Sequence, residues 1–316
     1  MKKGYSFLFA VVAFLVLVVS LSAQQGPINP EAVALLRWYP ANQTTSFNVG
    51  RGPAAVAFDG ANIWVANGGS NSVTKLRAAD GANLGTFNVG AGPAGLAFDG
   101  SNIWVANTIS NTVTKLRAAD GANLGTFAVG ATPIQVAFDG ANVWVANFDD
   151  GSVTKLRASD GAQLGTFRVA VFVSSVVFDG ANIWAAEDTD DIVIKLRAAD
   201  GVVLGRFDGG QYPRGLAFDG TNIWVANRNT TNVTKLRASD GAKLGTFTVG
   251  NNPTAIAFDG CNIWVASTGY RTVSKLRAAD GLKLGTFHVG DTPVALAFDG
   301  ANVWVTNFYS GTVSKM

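Results

Sequence analysis

The feature that constrains this chain most is a phrase of about forty residues that returns with almost no drift from residue 35 to residue 316. Its anchors keep strict spacing. A Phe-Asp-Gly triplet begins at Phe58, Phe98, Phe138, Phe178, Phe218, Phe258 and Phe298, and a tryptophan follows six residues later at Trp64, Trp104, Trp144, Trp184, Trp224, Trp264 and Trp304. Self-similarity at a fixed period of ~20–50 residues means a stacked or closed array, because one such unit cannot bury its own faces.

Within a unit the pattern predicts four short strands. The first, Ala54–Phe58, ends at Asp59-Gly60, a tight-turn signal between alternating apolar residues. The second spans Asn62–Ala66, and the third, Val73–Ala78, runs into a second turn at Asp80-Gly81. The fourth, Leu84–Val89, stops at Gly90, and Pro93 opens the next unit. Helical periodicity is absent, and Gly or Pro punctuates the chain about every ten residues. Four strands in forty residues is the length of one propeller blade, so the expected class is all-β, a seven-bladed β-propeller of four-stranded antiparallel blades. Residues 35–50 stay in register with the third and fourth strands of a blade, and the last unit lacks an outer strand. Thr45–Val49 is expected to supply it and close the ring, which leaves only short, protected edges.

The repeats resemble the YVTN-type β-propeller repeat, with Trp304-Val305-Thr306-Asn307 the nearest match and Trp-Val-Ala-Asn the commoner form here. That resemblance spans residues 35–316 and implies the fold. The scaffold serves enzymes, cofactor subunits and surface proteins alike, so it names no function. The chain also resembles the virginiamycin B lyase propellers, which implies chemistry on histidine and glutamate. The repeats hold one of each, His288 and Glu187, two blades apart, so that chemistry finds no match in the sequence.

The chain's start reads as a secretory signal over residues 1–23, with Lys2 and Lys3 before an apolar run from Phe7 to Val19 and small residues at Ser20–Ala23. Residues 24–34 read as a short tether, and residues 35–316 as one propeller domain. A secreted or periplasmic monomer is expected, with no membrane span after signal cleavage. The formal net charge of +2 falls to zero without Lys2 and Lys3, which argues against a nucleic-acid partner. Cys261 is the only cysteine, so an intramolecular disulfide and a cysteine metal cage are both excluded. The Lys-Leu-Arg tripeptides, one per blade, are expected on a solvated or ion-paired outer belt.

Differences between blades concentrate in the loop joining the second and third strands and in the linker to the next blade. In a four-stranded blade both emerge at one end, so the variable positions share one face of the disc. Blade four departs most: Glu187-Asp188-Thr189-Asp190-Asp191 replaces the usual Asn, Gly, Ser and Thr, beside Asp149 and Asp150 of blade three. The linker between them, residues 169–173, has lost its glycine and proline. Two readings stand: a solvated acidic rim, or oxygen ligands for Ca²⁺ from Asp188, Asp190 and Asp191. No other cofactor is expected. Phe172, with Phe148 and Phe308, offers an apolar contact patch. Tyr212, Arg214 and Arg228 place a basic side opposite the acidic one, with Arg214 the first choice for an anion contact at the channel mouth.

The repeat tryptophans alternate with valine and are expected in the core. His288 has no converging carboxylate and hydroxyl, and neither a P-loop nor a dinucleotide fingerprint is present. The sequence therefore predicts a binding or scaffold propeller that is not an enzyme and recognises a protein or glycan partner through its variable face. The alternatives are a metal-assisted lyase or hydrolase at that face, and a structural surface-layer or envelope protein.

Overall fold

A computed structural model describes residues 45–316, which form twenty-eight strands, β1 to β28, in seven four-stranded antiparallel sheets. The signal-like segment and tether expected before residue 35 lie outside the described residues. In the first blade β2 (Pro53–Phe58), β3 (Asn62–Asn67), β4 (Ser72–Arg77) and β5 (Asn83–Asn88) lie side by side in chain order. Most boundaries sit about one residue from those expected.

Ring closure follows the expected route. The last blade comprises β26 (Pro293–Phe298), β27 (Val303–Asn307) and β28 (Thr312–Lys315), and β1 (Thr45–Asn48) pairs antiparallel along the outer edge of β28. Phe47 of β1 then stacks on Trp304 with ring centroids 5.5 Å apart, as Phe87 packs on Trp64 within blade one at 5.6 Å.

The core lies between blades. Trp64, Ala66 and Val73 of blade one pack against Leu96, Ile103, Val105 and Leu116 of blade two, and the same layer recurs around the ring to Trp304 and Val313 against Ile63 and Leu76. Alternation along the second strand sends Trp64 to one neighbouring blade and Ile63 and Val65 to the other, so a single blade has no core of its own.

A polar staple is built into each layer. Asp59 accepts hydrogen bonds from the backbone N–H groups of Ala61 and Asn62 and, at 2.7 Å, from the Trp64 indole Nε1. The Asp-Gly turn thus orients the tryptophan as well as reversing the chain. The repeat lysine differs from expectation. Lys75 is buried with its ammonium 5.1 Å from the centroid of the Trp64 ring, donating at 2.7 Å to the carbonyl of Ala118 in the next blade. Only the arginine of the tripeptide lies on the outer belt, where Arg77 pairs with Asp80 at 3.0 Å. Lysine was misread because its long apolar stem lets it cross a buried layer and release its charge onto carbonyl oxygens.

Glycine at the Asp-Gly turn of strands three and four serves the packing between blades. Gly121 has φ 77°, and a Cβ there would stand 2.1 Å from the Phe87 ring of the preceding blade.

Candidate functional site

The innermost strand of every blade carries a β-bulge at its second residue. In β2, for example, Pro53 faces Asn67 while Ala55 faces Ala66, leaving Ala54 as the extra residue. The bulged positions around the ring are Ala54, Ala94, Ile134, Ser174, Arg214, Thr254 and Val294. All seven line a central cavity of about 310 Å³, and Arg214 is the only charged residue in its wall. A bulge re-aims a side chain, and here it sets one residue per blade around the channel.

Loops and linkers share one face, as expected. The amide of each loop's first residue bonds the preceding linker, as in Thr108 N–H to Gly92 O, Asp188 N–H to Phe172 O and Arg228 N–H to Tyr212 O. Sequence alone had placed the blade-four carboxylates on a solvated rim or around Ca²⁺. The structure gives them separate tasks. Glu187 is fully buried at the place of the repeat asparagine. Its oxygens accept from the N–H groups of Phe172, Thr189 and Asp190 and from the Thr189 hydroxyl, which straps loop and linker together. Asp191 accepts the Tyr212 N–H at 2.9 Å, the same bond that Asn71 takes from Gly92 in blade one. Asp190 is exposed. On blade three, Asp149 accepts from the Thr132 hydroxyl, and Asp150 from the Ala131 N–H and the Ser152 hydroxyl. No group of three or more His, Cys, Asp or Glu side chains is arranged to take a metal ion among the described residues.

Asp188 has a different role. Only 3% exposed, it reaches across to blade five, with its Oδ2 2.9 Å from Arg228 and 3.8 Å from Arg214. Its Oδ1 and the Arg228 Nε are buried without a hydrogen-bond partner among the described residues. The Arg214 guanidinium also lies 5.6 Å from the centroid of the Phe148 ring, which stacks on Phe172 at 5.1 Å. Burial works against the Arg214 charge; Asp188 supports it, and neighbouring Arg228 opposes it. Blades three, four and five thus meet at Arg214. The acidic and basic sides expected across the ring are in contact.

Phe308, the third aromatic of the expected patch, lies on the far side of the mouth, where it lines the cavity and meets Tyr309 edge-on. Tyr212 is exposed. His288, on the outer edge of its blade opposite Thr272, is far in the topology from the channel-lining strands. Gln135, Ser174 and Ser175, which also line the cavity, were missed by the sequence reading. Their only signal was a polar residue at positions where most other blades carry Ala, Gly, Ile or Val.

No helix among the described residues is long and apolar enough to cross a membrane. No known protein-family profile matches the chain, and no curated protein sequence matches it. Solved structures do. A hydrazine synthase chain from Kuenenia stuttgartiensis aligns with TM-score 0.77 and 18% identity over 84% of this chain and 95% of its own. Virginiamycin B lyase from Staphylococcus aureus gives TM-score 0.74 and 15% identity over 86% and 98%. A streptogramin B lyase gives TM-score 0.75 and 16% identity over 86% and 96%. These matches correct the expectation of a chain that is not an enzyme. These three propellers bear the names of enzymes, so the lack of a familiar catalytic constellation does not exclude catalysis. At such identities the likeness shows the fold alone: the chain is a seven-bladed β-propeller of the architecture that the virginiamycin B lyases share.

Proposed function

We propose that this propeller, built of YVTN-type repeats, is an extracytoplasmic recognition module that takes a protein or glycan partner on its variable face. One observation carries the reading. Seven nearly identical blades would give a nearly symmetric disc, yet the strongest departures from the repeat converge at one place on that face. Glu187 and Asp188 of blade four, Phe172 of the linker before it, and Arg214 and Arg228 of blade five are joined there by direct contacts. Binding residues sit on loops held by a rigid scaffold, and an asymmetric charged cluster orients a partner on an otherwise symmetric surface.

The test uses the repeats as donors. Blade two's Asn107–Thr112 is grafted over Glu187–Ile192 together with Ala170→Gly. The glycine is needed because a Cβ at the matching Gly90 would stand 2.7 Å from the Asn107 side chain. Parent and graft are compared by affinity capture from envelope and culture extracts. A partner retained by the parent and lost by the graft supports the reading. Identical capture sets, or regular self-assembly without a partner, would overturn it in favour of a structural envelope role.

A further inference from the structure

The charge at the channel mouth is incomplete. Arg214, Arg228 and Asp188 form a contact group of two cations and one anion, and the anion sits nearer Arg228, at 2.9 Å against 3.8 Å. At 3.8 Å Asp188 is beyond hydrogen-bond reach of Arg214. Among the described residues the Arg214 guanidinium therefore has an ion-pair neighbour but no hydrogen-bond acceptor, although it carries five N–H donors in a planar fork. Its face is held near the Phe148 ring, which limits its orientations, and its side chain stays about one-third exposed. Below it the cavity wall is mixed, in about equal polar and apolar parts, with Val56, Leu96, Ile134, Leu216, Ile256 and Leu296 among its apolar members. Small-molecule sites start at about 300 Å³, and this cavity, which offers a ligand both apolar and polar contacts, holds about 310 Å³.

We propose that the channel mouth binds a small organic monocarboxylate, its carboxylate gripped by the Arg214 fork and its apolar body in the central channel. The guanidinium matches a carboxylate bidentately, and the bound charge would bring the two-cation, one-anion group to neutrality. Thr254 and Gln135 line the same cavity and add polar atoms for any hydroxyl or amide on the ligand. This inference rests on the reading of the variable face as the working face, and it adds a ligand class for one point on it.

The experiment is calorimetric titration of the full chain with benzoate, phenylacetate and hexanoate, each matched by its neutral amide. The expected result is a carboxylate Kd of about 1 mM or tighter, with each amide at least about tenfold weaker, the loss that follows from removing a charge-assisted bond. Arg214→Val places at blade five the residue that blade seven carries at its own bulge, Val294, so the fold is expected to survive. That variant should bind carboxylate no better than amide while melting with the parent. Arg214→Lys, which keeps the charge without the fork, should fall between them. No binding by the parent, equal binding of acids and amides, or undiminished binding by Arg214→Val would each overturn the proposal. Because the probes are defined compounds, a negative titration leaves the capture experiment standing, and the two failures are read separately.

Discussion

Asp59 and its equivalents show how much one repeat position can do. Burial is the largest single influence on these carboxyls and pushes them up. The Trp64 indole and the Ala61 and Asn62 donors together outweigh it, so Asp59, Asp99, Asp139, Asp219, Asp259 and Asp299 all lie below the ordinary value of 3.8. A carboxyl depressed by folding stabilises the fold above its unfolded pKa and loses that contribution as pH falls through its folded pKa. The melting temperature should therefore hold steady from neutrality to about pH 5 and drop below about pH 4, and scanning calorimetry across that range checks it. The charged turn was legible in the sequence as a turn; its bond to the tryptophan was not, because spacing does not show where an indole points. Ala170 and Glu187 teach a similar lesson. Loss of the linker glycine and arrival of a glutamate looked like two separate oddities, whereas a Cβ at the matching Gly130 would stand 2.6 Å from Asn147. The two changes are one exchange, Gly with Asn for Ala with Glu.

Strands were the most legible elements, since period-two alternation and Asp-Gly turns fix both their number and their faces. The bulges were invisible: a residue such as Ala54 or Ile134 in an apolar run gives no sign that the partner strand skips it. For that reason the sequence found Arg214 by its charge and its place at the channel mouth, while its membership of a ring of seven re-aimed positions came from the register. The blade-to-blade contact was also hidden. Lys115 donates to Ala158 O at 2.7 Å and Ser159 O at 3.2 Å, with the Trp104 ring beneath it. Lys115→Ala should cost about 1.5–3 kcal/mol by urea unfolding, the range for a hydrogen bond to a charged group. Arg117→Ala, two residues on and paired with exposed Asp120, should move stability by less than about 1 kcal/mol. Equal effects of the two would mean that the lysine staple contributes nothing special.

Around the ring the joints between blades share one device. Six of them carry the lysine staple, including the seam, where Lys315 donates to Ala78 O at 2.7 Å and Ala79 O at 3.1 Å. Between blades six and seven Lys275 keeps the same place over the indole, 4.7 Å from the centroid of the Trp264 ring. The seam itself has a kinetic meaning. Every third strand offers β1 a nearly identical edge, Val-Thr-Lys-Leu or a close variant, so the ring has several nearly equal wrong partners. What sorts them is waiting time. A hairpin between neighbouring strands forms in about 1–10 μs, whereas joining residue 45 to residue 315 carries the entropy of a very long loop. Each local edge is taken before β1 can arrive, and β28, whose outer neighbour is not the next strand in the chain, is the one still open.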